Sequence, residues 1–172
     1  GHKKEGEVLV SYYRRLKKQF EKFASSFMGS GGLLIPGVMS QKGEALGGWG
    51  QYAFSPAVSI WALCPIADYY FFYRDQEFLK NVAFPFFQET EKCIRACLGK
   101  DSRGVYAFSW HSSPEYCENG DGSFFGDQTN FELTMLRYLY STLVRLSRDL
   151  GQDETPYLEA LQFLPEDYRD ER

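Results

Sequence analysis

The segment Trp110–Tyr116 contains the residue types in this chain that are best suited to chemistry. It runs Trp-His-Ser-Ser-Pro-Glu-Tyr and places one carboxylic acid, Glu115, among aromatic side chains. Loops held on a rigid scaffold carry a large share of catalytic and binding groups. Burial among aromatic rings raises the pKa of a carboxyl group, because the charged form loses its hydration. The sequence therefore predicts that Glu115 is a proton-donating acid. The alternative is a surface turn without function.

The composition limits the classes of function. The chain has 172 residues, of which 44% are hydrophobic and 17% aromatic, with 15 Phe and 12 Tyr. This length suits one domain with a substantial core. The net charge is −4 and the basic residues are dispersed, which argues against a nucleic-acid partner. No apolar run reaches the roughly 18 residues of a membrane span, so no membrane partner is expected.

The start of the chain is interpreted as a tag remnant. Residues 1–6 begin Gly-His-Lys-Lys and are expected to be disordered, which leaves residues 7–172 as one helical domain. No signal peptide is recognised in this stretch. Because a native signal could have been removed, the localisation stays unassigned.

No cofactor or metal is expected. Cys93 and Cys97 share a predicted helix, but the four cysteines and two histidines are not clustered as a zinc site requires. They are interpreted as ordinary thiols, buried or partly buried. Acidic residues near Asp121 and Asp127 could hold calcium, although a solvated loop is favoured there.

Helical periodicity dominates the first half of the chain. Apolar residues at three- and four-residue steps between Leu9 and Phe27 predict an amphipathic helix. Ser55-Pro56 predicts the start of a second helix, which should reach about Tyr73 and bend at Pro65. This helix is apolar on nearly every side, so it is expected to be buried on most of them, with Trp61 in the core.

The second half carries helix-boundary signals and one extended piece. The signals are Asp75 as a cap, Pro85 as a division, Gly99 as an end, Thr129-x-x-Glu132 as a capping box, Gly151 as an end and Thr155-Pro156 as a start. Residues 105–108 predict a short extended segment. Residues 31–50 hold seven glycines and form either a functional loop or a flexible connection.

Several motifs occur in one order over about residues 8–168. They are a tryptophan-bearing helix from Ser55, the turn Tyr73–Leu79, the helix start Ala83–Pro85, the loop Ser112–Glu115, the helix Asn130–Tyr140 and the pair Leu164-Pro165. This order resembles the catalytic (α/α)6 barrel of glycoside hydrolase family 95, the inverting α-L-fucosidases and their relatives. The resemblance implies an all-α fold, an α/α toroid of six-hairpin glycosidase type. The chain would form a partial barrel of about five to six helices from its first half.

The resemblance also implies roles for single residues. The family's Ser-Pro-Glu glutamate is the general acid, which assigns that role to Glu115 in the hydrolysis of α-linked fucose- or galactose-type sugars. An inverting hydrolase also needs an ionised carboxylate about 6.5–9.5 Å away that activates water. The implied partner is a carbohydrate. A flat ring stacks on the apolar side of a pyranose, so the candidate sugar contacts are Trp110, His111, Trp49 and Tyr116.

The chain departs from the family pattern in ways that leave a second function open. The family's general base is an aspartate in the second half of the barrel, assisted by an upstream Asn-x-Asn, and neither is found here. Glu132 replaces the family's helix aspartate and is explained by the capping box. The isolated chain is therefore expected to be inactive, and its exposed inner helix surfaces favour self-association or pairing with the missing half. The alternative is a non-catalytic helical module that binds carbohydrate or protein. A helix-pair solenoid is disfavoured, because no repeat of about 34–45 residues is found.

Overall fold

The computed structural model describes residues 3–114, 116, 117, 120–167 and 169. Its helices are α1 (Lys3–Met28), α2 (Gly50–Ala53), α3 (Pro56–Tyr73), α4 (Gln76–Phe78), a π-helical turn (Leu79–Ala83), α5 (Phe84–Cys97), a 3-10 turn (Asp121–Ser123), α6 (Asn130–Leu150) and α7 (Thr155–Gln162). Its strands are β1 (Leu98–Lys100), β2 (Tyr106–Phe108), β3 (His111–Ser112) and β4 (Phe124–Phe125). The helices dominate, and the prediction of an all-α fold is confirmed.

Helix α6 organises the core. It packs against α3, α5 and α7, and α1 packs against α3 and α5. The leucine stripe of α6 is fully buried, at Leu136, Leu139, Leu143 and Leu146. Thr129 caps the helix through the predicted capping box, and Gly151 ends it in the left-handed conformation. Both ends of α6 therefore lie where the sequence signals place them, which fixes the residues before Thr129 against the helix.

Helix α3 begins at the predicted residue, with Ser55 at the N-cap and Pro56 in the first turn. It continues through Pro65 to Tyr73. One side of it is buried, but Trp61 is 50% exposed and Phe72 is 73% exposed on the other. The prediction that Trp61 lies in the core is wrong. Composition showed an apolar helix, but not which of its sides would meet another element.

The start of the glycine-rich segment is packed into the core. Leu33 donates its backbone N–H to the carbonyl of Glu89 at 2.9 Å, and Ile35 donates its own to the hydroxyl of Ser59 at 2.8 Å. A Cβ atom on Gly32 would lie 2.4 Å from the carbonyl oxygen of Glu89, and its φ is +99°. Glycine is needed here for close approach of two backbones, so this part of the segment is a fixed connection.

The short strands form two antiparallel pairs. β1 pairs with β2, and the latter lies within the extended segment predicted over residues 105–108. β3 pairs with β4, which places His111 opposite Phe125 and Ser112 opposite Phe124. These pairs connect α5 to α6, and the second pair carries the Trp110–Tyr116 segment.

The chain start and the cysteines differ in part from expectation. Residues 3–6, assigned to a disordered start, form the first turn of α1, while Gly1 and His2 lie outside the described residues. The cysteines are free; Cys93 is buried, whereas Cys117 is exposed rather than buried or partly buried. Within the described ranges, no helix is both long and apolar enough to cross a bilayer.

Candidate active site

Glu132 is an acidic residue held inside the protein. It lies in the first turn of α6, and its side chain is 1% exposed. An ionised carboxylate in such a place needs hydrogen bonds to replace its hydration. The surroundings of Glu132 provide them from two separate parts of the chain.

Three groups converge on the Glu132 carboxylate. The backbone N–H of Thr129 donates to Oε2 at 3.0 Å, and the backbone N–H of Ser112 donates to Oε1 at 2.9 Å. Nδ1 of His111 lies 3.2 Å from Oε2. A proton must lie between these two atoms, because each would otherwise present a lone pair to the other. The carboxylate therefore joins the start of α6 to both residues of β3.

Burial sets the direction of the Glu132 pKa. Desolvation raises the pKa of this carboxyl group above its ordinary value. Hydrogen bonds from the Thr129 and Ser112 backbones and from His111 favour the charged form and oppose the rise. Glu132 is thus a buried acid whose pKa is raised by burial and held back by the groups that hydrogen-bond to it.

Ser112 is held by each of its polar groups. Its N–H donates to Glu132, and its carbonyl accepts from the hydroxyl of Thr129 at 3.0 Å. Its own hydroxyl donates to the carbonyl of Gln51 at 3.3 Å. The residue before Ser113-Pro114 is thus tied to α2 and to the cap of α6.

An aromatic surface, formed by Trp110, Phe54 and Phe124, lies beside Ser112. The Trp110 ring lies 5.7 Å from Phe54 and 6.1 Å from Phe124, with only 15° between the planes of Trp110 and Phe124. The Tyr116 ring meets Phe125 edge to face at 5.6 Å. Trp110 is 48% exposed and Tyr116 is 56% exposed. Half-exposed rings beside a held loop can stack on a ligand with a flat apolar side.

The candidate sugar contacts fall into two groups. Trp110 packs on Phe124 and Tyr116 packs on the next residue, Phe125. The His111 side chain is 10% exposed and borders a polar cleft of about 320 Å³ with Lys100 and Asp127. Trp49 is 61% exposed and borders a different cavity, of about 570 Å³.

Trp49 is next to Gly50, and Gly50 approaches the aromatic surface. A Cβ on Gly50 would lie 3.2 Å from the Phe124 ring, and Phe124 contacts Trp110. Glu115 lies outside the described residues, so its predicted role stays a prediction.

Sequence reasoning missed several contributors. Glu132 was explained by helix capping alone, yet it also holds His111 and Ser112. Gln51 was not singled out; it is fully buried, and its side-chain amide has no hydrogen-bond partner among the described residues. Nothing in a glycine-rich stretch marks one glutamine as buried. A histidine 21 residues before a helix-start glutamate gives no local signal of contact either.

Metal chemistry receives no support from side-chain clustering. In the part of the chain that the structure describes, no group of three or more His, Cys, Asp or Glu residues could hold a metal ion. The side chain of Asp121 lies outside that part, so the calcium alternative at Asp121 and Asp127 is untested.

The sequence matches the model of the glycosyl hydrolase family 95 catalytic domain over residues 4–166. The chain therefore belongs to this family and is an all-α, toroid-like part of a glycoside hydrolase catalytic domain, whose substrate is a carbohydrate. A comparison with proteins of curated function finds no match.

Proposed function

We propose that this chain forms the acid-bearing part of an inverting α-glycosidase that acts on fucose- or galactose-type sugars. Glu115 is the general acid in this proposal. Its carboxyl proton goes to the glycosidic oxygen as the bond to the anomeric carbon breaks, while water attacks that carbon from the opposite side and gives a proton to a carboxylate base. The configuration at the anomeric carbon is thereby inverted. We assign no general base to a residue of this chain.

The observation that carries the proposal is the anchoring of Ser112, three residues before Glu115, in a member of family 95. Ser112 is fixed by hydrogen bonds to Glu132, Thr129 and Gln51. A general acid is effective only when its proton lies within hydrogen-bond reach of the leaving oxygen. A residue held three positions before the acid restricts where the acid can lie, which satisfies that requirement better than a free surface turn does.

The aromatic surface supports a sugar substrate. The exposed rings of Trp110 and Tyr116 flank the segment, and His111 presents a polar ring at the adjacent cleft. Sugars bind through both kinds of contact, because one side of a pyranose is apolar and its edge carries hydroxyl groups. Trp49 is included as a more distant contact, beside Gly50.

The test is the leaving-group dependence of a Glu115→Gln variant, made in the full-length product of the gene. We expect kcat to fall by about 10²- to 10⁴-fold on α-fucosides and α-galactosides with alkyl or sugar leaving groups, because these need protonation. Activated aryl glycosides should be hydrolysed nearly as before. The matched control is Glu159→Gln, on the exposed side of α7, which should change neither rate.

Two outcomes would contradict the proposal. Equal losses on both kinds of substrate would show that Glu115 does not donate the proton. Carbohydrate binding without turnover by the wild-type full-length product would favour the non-catalytic module instead.

A further inference from the structure

Glu132 makes more contacts than a capping residue needs. A capping box requires the side chain at this position to accept one backbone N–H from the N-cap residue, here Thr129. Oε2 accepts that bond. Oε1 is directed instead to the N–H of Ser112, which is 20 residues earlier in the chain. The second oxygen therefore acts on β3 and not on the helix.

Ser112 makes further hydrogen bonds besides the one to Glu132, so the whole residue is held in place. Ser112 is 4% exposed, and its N–H, carbonyl and hydroxyl are all engaged. Ser113 follows directly, and Pro114 has a φ angle fixed by its ring. Few backbone rotations therefore separate the Glu132 contact from the residue after Pro114.

We infer that Glu132 is a positioning residue, which holds Ser112 and His111 in place and thereby fixes where the acid-bearing loop begins. The inference rests on the proposed function for its catalytic consequence. Its structural part, that the carboxylate of Glu132 immobilises β3, stands on the described contacts alone. Glu132 itself is too enclosed to meet a substrate, at 1% exposure.

The variant Glu132→Gln separates the two roles of Glu132, which are capping α6 and holding β3. Glutamine has one acceptor oxygen and an NH₂ group that only donates. With its oxygen toward Thr129 it keeps the cap, and the NH₂ group then faces the N–H of Ser112, where no hydrogen bond can form. Glu132→Gln should thus retain α6 and release β3. If that variant does not fold, Glu132→Asp keeps both acceptor oxygens but draws them back by one methylene, and exchange at Ser112 should again accelerate.

The first readout is amide hydrogen exchange in the chain itself. In Glu132→Gln we expect exchange at Ser112 to accelerate at least about tenfold relative to wild type, while exchange at Thr129 changes little. The control is Val144→Ala, which creates a small core defect in the same helix. In this variant, exchange at Ser112 relative to neighbouring residues should be the same as in wild type. Unchanged protection at Ser112 in the glutamine variant would overturn the inference.

The second readout is the split between kcat and KM in the full-length product. Displacement of a catalytic group by about 1 Å can cost on the order of 10²-fold. We therefore expect Glu132→Gln to lower kcat by about 10- to 100-fold on poor leaving groups, with KM little changed and activated aryl glycosides nearly unaffected. Equal losses on both substrates, or a pattern matching Val144→Ala, would overturn the positioning role.

The two proposals fail in different ways. If Glu115→Gln has no leaving-group-dependent effect, the proposed function fails, whatever the exchange data show. If Glu115→Gln behaves as expected but Glu132→Gln leaves both exchange and kcat unchanged, only the positioning role fails.

Discussion

The ring of His111 and the carboxylate of Glu132 lie 3.2 Å apart inside the protein, although 21 residues separate them in sequence. The contact joins the strand that begins the Trp110–Tyr116 segment to the first turn of α6. The first turn of α6 therefore helps to hold the Trp110–Tyr116 segment in place. This relationship links the fold to the proposed chemistry.

The buried carboxyl group should leave a signature in the pH dependence of stability. Burial raises the pKa of Glu132 above its ordinary value near 4.5. A group with a raised folded-state pKa contributes stability that is complete below its unfolded pKa and is lost as the pH rises through the folded value. The free energy of unfolding of wild type, minus that of Glu132→Gln, should therefore decrease as the pH rises above about 4.5.

Urea unfolding of both proteins across about pH 4 to 8 measures this difference directly. Carboxyl groups that do not contact Glu132 have the same surroundings in both proteins, so their contributions cancel, and a His111→Gln background in both removes the imidazole that lies 3.2 Å from Glu132. A difference that stays constant, or that grows with pH, would contradict the assigned direction.

Two glycines should respond very differently to alanine. At Gly32 an added Cβ would lie 2.4 Å from the backbone oxygen of Glu89, and φ is +99°. At Gly151 φ is +65° and nothing lies within 4 Å of an added Cβ. Gly151→Ala should cost about 1–2 kcal/mol from the left-handed backbone alone. Gly32→Ala should cost clearly more, because the Leu33 bond to α5 must also shift.

Thermal or urea unfolding of the two glycine variants makes the comparison. Equal losses would show that the close approach of residues 32 and 89 does not contribute to stability.

The aromatic surface should contribute to sugar binding at Trp110. Trp110→Ala removes a ring that is 48% exposed and contacts Phe54 and Phe124. We expect the affinity for an α-fucoside or α-galactoside to fall about 2- to 13-fold, which corresponds to about 0.5–1.5 kcal/mol for an aromatic contact. Calorimetry or NMR titration measures this change. Trp61→Ala is the matched control, because Trp61 is similarly exposed but lies on α3. A larger effect at Trp61 than at Trp110 would place the sugar elsewhere.

Local signals predicted the helices well. Thr129, Glu132 and Gly151 mark the ends of α6 through hydrogen bonds and backbone angles that involve only neighbouring residues. The same holds for Asp75, which accepts a hydrogen bond from the Phe78 N–H at 3.0 Å. Boundaries of this kind depend on residues a few positions apart, so a sequence contains the information directly.

Contacts between distant segments were less accessible from the sequence. The position of Trp61 depends on which side of α3 meets α6, and the double role of Glu132 depends on β3 folding back onto α6. Pro85 was expected to divide two helices, but a π-helical turn over Leu79–Ala83 leads directly into α5. Pro85 is tolerated because it lies in the first turn of α5, where a backbone N–H is not needed for a hydrogen bond within the helix. Such outcomes depend on tertiary packing.

The configuration of the first product tests the central claim most directly. The full-length product would be incubated with an α-L-fucoside or an α-galactoside in an NMR tube, and the anomeric proton of the released sugar followed before mutarotation. An inverting α-glycosidase releases the β-anomer first, and that is the expected result. Release of the α-anomer would contradict inversion. No hydrolysis of any α-fucoside or α-galactoside would contradict the proposed activity.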